Sequence, residues 1–334
     1  MTQQKTALVL GATGGIGGEI AKTLKARGWR IRALHRRGRA ASPSGDGFDW
    51  VKGDAMNAVD VVAAANGVSL IAHAVNPPGY RNWAKLVLPM LDSSIAAAKA
   101  SGARIVFPGT VYNFGPDAWP ILREDSPQHP KTRKGAIRVE MERRLKAAVA
   151  EGVRSLIVRA GDFFGPRETS NSWFSAALVK PGKTPTSIPY PGRKGVGHQW
   201  AYLPDTAETM VRLIENEDRL AAFEVFHMDG HWDLDGTAMV AAIGRACGKP
   251  EIKATAFPWW AILLASPFVT TFREMLEMRY LWREPLRMDN SRLVAFLGQE
   301  PHTPLDDSVK EALKGLGCLQ ESSAGGTDVN RAKI

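Results

Sequence analysis

The feature that most constrains the fold is a glycine-rich turn near the start of the chain, Gly11-Ala12-Thr13-Gly14-Gly15-Ile16-Gly17. It follows a short apolar run, Thr6 to Leu10, of the kind that forms a strand buried on both faces of a parallel sheet. After the turn, Ile16, Ile20 and Leu24 recur at the spacing of one helical face. Such a helix N-terminus offers backbone amides to a pyrophosphate, and glycines permit its close approach. We therefore predict that a dinucleotide contacts Gly11, Thr13, Gly14, Gly15, Ile16 and Gly17.

The end of the predicted second strand, Trp29 to Leu34, bears on which dinucleotide is bound. Proteins specific for NAD place an Asp or Glu at this point to bind the ribose 2′-hydroxyl. This chain continues instead with His35-Arg36-Arg37-Gly38-Arg39, which contains no acid. Arg36, with Arg37 or Arg39 behind it, can pair with a 2′-phosphate through parallel charge-assisted hydrogen bonds. The pattern favours NADP(H) as the cofactor; the alternative is a solvated basic loop.

Strands and helices alternate over the first half of the chain, which predicts an α/β fold with a doubly wound parallel sheet of the Rossmann type. Ligands of such sheets bind beyond the carboxyl ends of the strands. Asp54 either accepts a hydrogen bond from adenine or caps the next helix, and His73 is interpreted as structural. The residues at predicted strand ends that we assign to the cofactor site are Asp54, Ala55, His73, Ala74, Val75, Ala160, Gly161 and Asp162.

The domain organisation follows from this alternation and from composition. The chain has 334 residues, of which 44% are hydrophobic and 23% charged, as expected of a globular protein with a substantial core. We predict a dinucleotide-binding Rossmann domain over residues 1–170 and, mainly over 171–320, a smaller C-terminal substrate lobe. Within the second half, residues 198–230 are expected to return to the Rossmann sheet. Residues 321–334 are small and polar and predict a loose tail.

Charge and cysteine content argue against several functional classes. The net charge is +9, but basic residues are spread along the chain, so we predict no nucleic-acid partner. Cys247 and Cys318 lack the spacing of a disulfide framework or a metal site, and no metal is predicted. The apolar stretch Phe257 to Val269 is too short and too interrupted by proline for stable membrane insertion. The sequence predicts a cytoplasmic protein that binds a small-molecule substrate; assembly as a homodimer stays open.

Several segments match one known pattern when they are taken together. They are the glycine turn, Asp54, His73-Ala74, Thr110-Val111-Tyr112, Arg159 to Pro166 and His198 to Asp205. With these segments the chain resembles the short-chain dehydrogenase/reductase superfamily, and within it the extended branch of NAD(P)-dependent epimerases, dehydratases and reductases. The resemblance covers most of the chain and implies the Rossmann fold and a nicotinamide cofactor.

The catalytic residues that this resemblance implies are only partly present. The superfamily uses a Tyr and a Lys four residues apart at the start of a helix, and a Ser or Thr after the preceding strand. When the helix is aligned on Glu142, Lys134 stands at the tyrosine position and Arg138 at the lysine position. Counting forward from the strand places Thr110 at the Ser/Thr position, whereas counting back from Tyr112 places Pro108 there. We favour Thr110, because the sheet fixes the strand end while the following loop can shorten. The chain thus resembles the atypical members, which keep the nucleotide fold and lose the usual triad.

Two side chains are candidates for the missing proton donor. Lys134 could act as an ammonium whose pKa is lowered by Arg138, by an oxidised nicotinamide and by desolvation. Tyr112 is the other candidate, because its phenol follows the same strand as Thr110. The alternative is that Lys134 and Arg138 form a solvated basic helix start or contact the cofactor phosphates.

These features together predict an NADP(H)-dependent oxidoreductase of the atypical extended short-chain type, acting on a small or hydrophobic carbonyl compound. Two other interpretations remain: a catalytically silent NADPH-binding sensor or scaffold, and a nucleotide-sugar epimerase or dehydratase. Large aromatic residues of the predicted lobe either wall a substrate pocket or form core; they are Trp173, Phe174, Tyr190, His198, Trp200, Trp259 and Trp260.

Overall fold

The structure is a computed structural model that describes residues 4–38, 45–77, 82–167 and 172–319. Its strands are β1 (Thr6–Leu10), β2 (Arg30–His35), β3 (Asp49–Lys52), β4 (Leu70–His73), β5 (Arg104–Gly109), β6 (Ile121–Leu122), β7 (Arg154–Arg159), β8 (Asp162–Phe164), β9 (Ile188–Tyr190), β10 (His198–Tyr202), β11 (Phe223–His227), β12 (His231–Asp233), β13 (Ala254–Ala256) and β14 (Arg287–Met288). Its α-helices are α1 (Gly15–Ala26), α2 (Ala58–Ala64), α3 (Trp83–Ser101), α4 (Arg133–Ala147), α5 (Leu203–Glu215), α6 (Ala238–Ala246), α7 (Trp259–Ala265), α8 (Thr270–Glu277), α9 (Ser291–Leu297) and α10 (Leu305–Gly315).

A parallel sheet of seven strands, in the order β11-β7-β5-β4-β1-β2-β3, forms the centre of the fold. The chain runs from β1 outward through β2 to β3, then crosses to β4 and runs outward the other way. The order therefore reverses between β1 and β4, which is where doubly wound sheets open a crevice for a ligand. This confirms the predicted Rossmann fold.

Helices cover both faces of this sheet. On one face α1 and α5 bury an apolar stripe that includes Ile20, Leu24 and Met210. On the other face α2, α3 and α4 pack through side chains such as Val61 and Leu91. The strands between the two layers are buried on both sides, which explains why β1 and β4 are continuous apolar runs rather than alternating ones.

The second half of the chain adds elements beside the carboxyl ends of the strands. β10 is the middle strand of a three-stranded sheet with β8 and β12, whereas β11 joins the edge of the central sheet. Trp173, Phe174, Tyr190 and Trp200 are buried together in one cluster, so they form core. No helix within the described ranges is long and apolar enough to cross a bilayer. The predicted tail, 321–334, lies outside the described residues.

Candidate active site

A trench of about 910 Å³ runs along the carboxyl ends of β1, β2, β4, β5 and β7. Its wall includes most of the residues predicted from the sequence: Gly11, Thr13, Gly14, Gly15, Ile16, Arg36, Asp54, Ala55, His73, Ala74, Val75, Thr110, Tyr112, Arg138, Ala160, Gly161 and Asp162. Gly17, Arg37 and Lys134 are not part of the wall. A smaller cavity of about 580 Å³ beside β11 contains none of the predicted residues.

The glycine turn has the geometry of a phosphate-binding turn. The Gly14 amide donates to the Gly11 carbonyl at 2.9 Å and closes the turn. Helix α1 begins directly after Gly14, and no side chain caps its first amides, so these donors remain for an anion. Gly11 has φ +94°, and a Cβ there would lie 2.6 Å from the Ala74 carbonyl oxygen. Gly17 acts inside the turn instead, because its Cβ would lie 2.3 Å from the Gly11 oxygen.

The end of β2 presents arginines to the trench. Arg36 is exposed and lines the trench, whereas Arg37 is exposed outside it and donates its amide to His35 Nδ1 at 3.1 Å. Arg39 lies outside the described residues. No carboxylate follows β2 in the sequence down to Arg39, so nothing there competes with an anionic ligand for Arg36.

Asp54 lies opposite Arg36, at the end of β3. Its Oδ1 accepts from the Met56 amide at 3.0 Å, whereas helix α2 is capped by Asn57, which accepts from Val59. Asp54 therefore does not cap α2. Its second oxygen has no hydrogen-bond partner within the described part of the chain, which leaves it available to the trench.

His73 is a buried neutral side chain. Its Nδ1 lies 2.8 Å from Ser94 Oγ, and Ser94 itself donates to the Met90 carbonyl, which assigns the Nδ1 proton to His73. Complete burial, together with the nearby Arg138, lowers its pKa to about 3. A ring that stays neutral near pH 7 is suited to lining the trench, in agreement with the structural interpretation.

Thr110, Tyr112 and Arg138 are brought together where β5 ends. The Tyr112 amide donates to Thr110 Oγ1 at 3.3 Å. The Arg138 guanidinium lies against the rings of Trp83 and Phe107, 5.4 and 5.3 Å from their centroids, and donates to the Pro108 carbonyl. These contacts hold a cation at the trench wall beside two hydroxyl groups.

The structure does not bring Lys134 into the trench. Its side chain is 1% exposed, and its Nζ lies 2.8 Å from both the carbonyl oxygen and Oε2 of Glu274 on α8. Burial lowers the Lys134 pKa, while Glu274 and Glu277 oppose that shift. The direction of this pKa shift agrees with the prediction from the sequence, but its cause is packing of Lys134 against α8 rather than a nearby nicotinamide. An ammonium held in this way is poorly placed to reach a substrate in the trench.

Replacement of Lys134 by methionine should therefore affect stability rather than cofactor binding. We expect the free energy of unfolding in urea to fall by about 2 kcal/mol, less than for a fully broken buried pair because Arg133 still contacts Glu274. The NADPH dissociation constant, from fluorescence titration, should stay unchanged. Arg133→Met is the control, with an expected cost below about 1 kcal/mol because Arg133 is exposed. Loss of NADPH binding in a stable Lys134→Met protein would contradict this assignment.

One partner of a predicted site residue has no local sequence signal. Asp162 Oδ2 lies 2.9 Å from His198 Nε2, across a separation of 36 residues. From the sequence, His198 is expected within a segment that matches the superfamily and among the large side chains of the lobe, but without Asp162 as its partner. The contact depends on the pairing of β8 with β10, which no short motif specifies.

Comparisons with known proteins agree with this geometry. The profile of the NAD dependent epimerase/dehydratase family matches residues 7–228. The chain is 28% identical over 226 residues to a 3-diazoavenalumate denitrifying reductase from a Streptomyces species, covering 63% of this chain and 72% of that protein. It is 29% identical over 212 residues to the uncharacterized protein y4nL of Sinorhizobium fredii (strain NBRC 101917 / NGR234), covering 57% of this chain. That match spans 60% of the length of y4nL.

Among solved structures, the fold is similar to that of MoeE5 in complex with UDP-glucose and NAD. The TM-score is 0.71 at 16% identity, and the match covers 93% of this chain and 98% of MoeE5. At this identity the likeness concerns the fold alone.

Proposed function

The chain belongs to the NAD dependent epimerase/dehydratase family, and from that membership we propose that it is an NADP(H)-dependent oxidoreductase acting on a small or hydrophobic carbonyl compound. The single observation that carries the proposal is the trench, in which an uncapped glycine turn, an exposed arginine at the end of β2 and two hydroxyl groups share one wall. The similarity to a reductase supports oxidoreductase chemistry over epimerisation. When bound, the dinucleotide supplies or accepts the hydride.

Different residues along the trench bind different parts of the cofactor and the substrate. The amides at the start of α1 bind the pyrophosphate, Arg36 binds the 2′-phosphate, and Asp54 accepts from the adenine amino group. Arg138 provides a fixed positive charge near the nicotinamide end. Thr110 and Tyr112 donate hydrogen bonds that orient the substrate oxygen.

The substrate end of the trench is largely apolar. Val111, Tyr112, Met141 and Phe163 line it, and Ser172 is the small polar residue among them. Such a wall favours a hydrophobic or aromatic carbonyl compound, because the apolar surface of the compound leaves water on binding.

Replacement of Arg36 by alanine tests the cofactor assignment. We expect NADPH to bind about 10- to 100-fold more weakly, a loss of about 1.4 to 2.7 kcal/mol, because a phosphate would lose a charge-assisted contact. The NADH dissociation constant should not change. Arg30→Ala is the matched control, since Arg30 begins the same strand and pairs with Asp49 away from the trench. Equal affinities of the unmodified protein for NADPH and NADH would contradict the proposal.

A second experiment distinguishes the proposed activity from its alternatives. The protein is incubated with NADPH and a panel of aliphatic and aromatic aldehydes and ketones, and oxidation of NADPH is followed at 340 nm. Binding of NADPH without turnover of any compound would favour a silent sensor or scaffold. Stabilisation against thermal unfolding by UDP-sugars would favour an epimerase or dehydratase.

A further inference from the structure

Asp162 and His198 are brought together by close packing of two strands at the substrate end of the trench. Gly161 allows this packing, because a Cβ there would lie 2.3 Å from the Gln199 carbonyl oxygen. In the resulting parallel register, Asp162 on β8 lies opposite Trp200 on β10. His198 is two residues before Trp200 on the same strand, so both side chains lie on one face of the sheet. Asp162 lines the trench, and His198 is buried behind it.

The contacts of His198 determine how many protons the pair holds. Its Nδ1 lies 3.3 Å from the Leu281 carbonyl, which can only accept, so the Nδ1 proton is assigned to His198. Nε2 lies 2.9 Å from Asp162 Oδ2, and that hydrogen bond needs a second proton. Without it, two lone pairs would face each other. The pair therefore holds one shared proton, either as imidazolium and carboxylate or as imidazole and carboxylic acid.

The surroundings hold the His198 ring in place and leave one Asp162 oxygen accessible. The His198 ring is stacked on Trp282, with centroids 3.8 Å apart and planes at 6°. Asp162 Oδ1 has no hydrogen-bond partner within the described ranges, and the Asp162 side chain is 14% exposed. The pair is thus open on its trench side only.

The other ionisable groups around the pair do not replace it. Burial, followed by the charge of Asp162, raises the pKa of Tyr280; the pKa of Tyr190 is raised by burial, by Asp233 and Asp235, and by Asp162. Both phenols therefore stay protonated at neutral pH, and the raised pKa makes each a weaker proton donor than an ordinary tyrosine. Asp233, opposite His198 on β12, is engaged by backbone amides at the start of α6.

We propose that Asp162 is the catalytic proton donor of this trench and that His198 is its positioning residue, an inference that rests on the proposed reductase function. With a reduced dinucleotide bound, hydride addition to the carbonyl carbon would form a C–H bond and move the π electron pair of the C=O bond to oxygen. That oxygen would take the shared proton through Asp162, which gives the alcohol. After the products leave, the pair would regain one proton from solvent.

The shared proton is tested first by a measurement that needs no turnover. In protein labelled with ¹⁵N-histidine, the His198 ring of the unmodified chain at pH 7 should show a proton on Nδ1 and a shared proton at Nε2. In Asp162→Asn, Nε2 should become an unprotonated acceptor. A His198 ring with the same ¹⁵N signature in both proteins would overturn the proposal.

Kinetics at saturating NADPH then test the role of the pair, with the best substrate of the carbonyl panel. Asp162→Asn should lower kcat about 100-fold, and the fall of kcat/KM at alkaline pH should disappear. His198→Gln should lower kcat about 10-fold and displace that alkaline limb. Asp235→Asn, which removes an exposed carboxylate of the same lobe, is the matched control and should leave kcat unchanged.

Each kinetic outcome separates this inference from the proposed function. If Asp162→Asn turns over as fast as the unmodified protein while Tyr112→Phe is inactive, the phenol is the donor and the inference is wrong, although the reductase function stands. If the unmodified protein reduces no compound, both the proposed function and the donor role of Asp162 are wrong. The NMR measurement still decides whether Asp162 and His198 share a proton.

Discussion

Replacing Gly11 by alanine should abolish detectable NADPH binding, with affinity lowered by about 100-fold or more, or about 2.7 kcal/mol. The new Cβ would lie 2.6 Å from the Ala74 oxygen and 2.9 Å from the Val75 nitrogen, and both are backbone atoms of the trench wall. A positive φ of +94° adds backbone strain of about 1 to 3 kcal/mol. The turn and the β4 end must therefore move apart where the pyrophosphate is expected to bind.

Gly28→Ala is the control that separates backbone strain at a positive φ from a steric clash of the new Cβ. Gly28 also has a positive φ, +80°, but a Cβ there meets no atom within 4 Å. The Gly28→Ala substitution should lower the melting temperature by a few degrees and leave the NADPH dissociation constant unchanged. NADPH binding is measured by fluorescence titration of each variant, with circular dichroism confirming that it is folded. A Gly11→Ala protein that is folded and binds NADPH normally would show that the turn is not the phosphate site.

The second large effect is expected on the free energy of unfolding at acidic pH. Burial is the main cause that lowers the pKa of His73 and His227 to about 3 and that of His231 to about 4, from an ordinary 6.5. The folded protein keeps these rings neutral, whereas the unfolded chain protonates them near pH 6.5. Their stabilisation is thus complete above pH 6.5 and is lost as the pH falls from 6.5 toward 3. Each histidine should contribute about 1.4 kcal/mol per pH unit in that window.

Urea unfolding at pH 7.5, 6.5, 5.5 and 4.5 measures this dependence. Glu124 and Glu300, whose pKa values are raised by burial, act in the opposite direction and reduce the net slope. His231→Phe should remove the contribution of one histidine to the pH slope. It should cost little else, because the buried His231 Nε2 has no hydrogen-bond partner among the described residues. Equal free energies of unfolding at pH 6.5 and 5.5 would contradict the prediction.

Most of the trench lining between β1 and β4 could be predicted from the sequence because its determinants are local. The glycine turn, the arginines after β2 and the residues after β4 each follow a strand directly, and parallel strands bring their carboxyl ends to one edge. Gly17 was assigned to the ligand although it acts within the turn, because spacing alone does not tell which glycine faces the trench.

The contacts of Lys134 and Asp162 could not be predicted in the same way. Lys134 and Glu274 are 140 residues apart, so nothing near Lys134 indicated that α8 would cover it. His198 and Asp162 meet only because Gly161 lets β8 pack against β10. No periodic pattern or spacing rule in the sequence connects Lys134 with Glu274 or Asp162 with His198.

The sequence by itself determined the sheet, the trench and the charge at the β2 end, because apolar periodicity and glycine placement act over a few neighbouring residues. Only the tertiary structure decided which ionisable groups reach the trench, since burial and charge pairing depend on elements that are distant in the chain. Arg138 is at the wall and Lys134 is beneath α8 although both belong to one helix. Packing against other elements, not position along the chain, separates them.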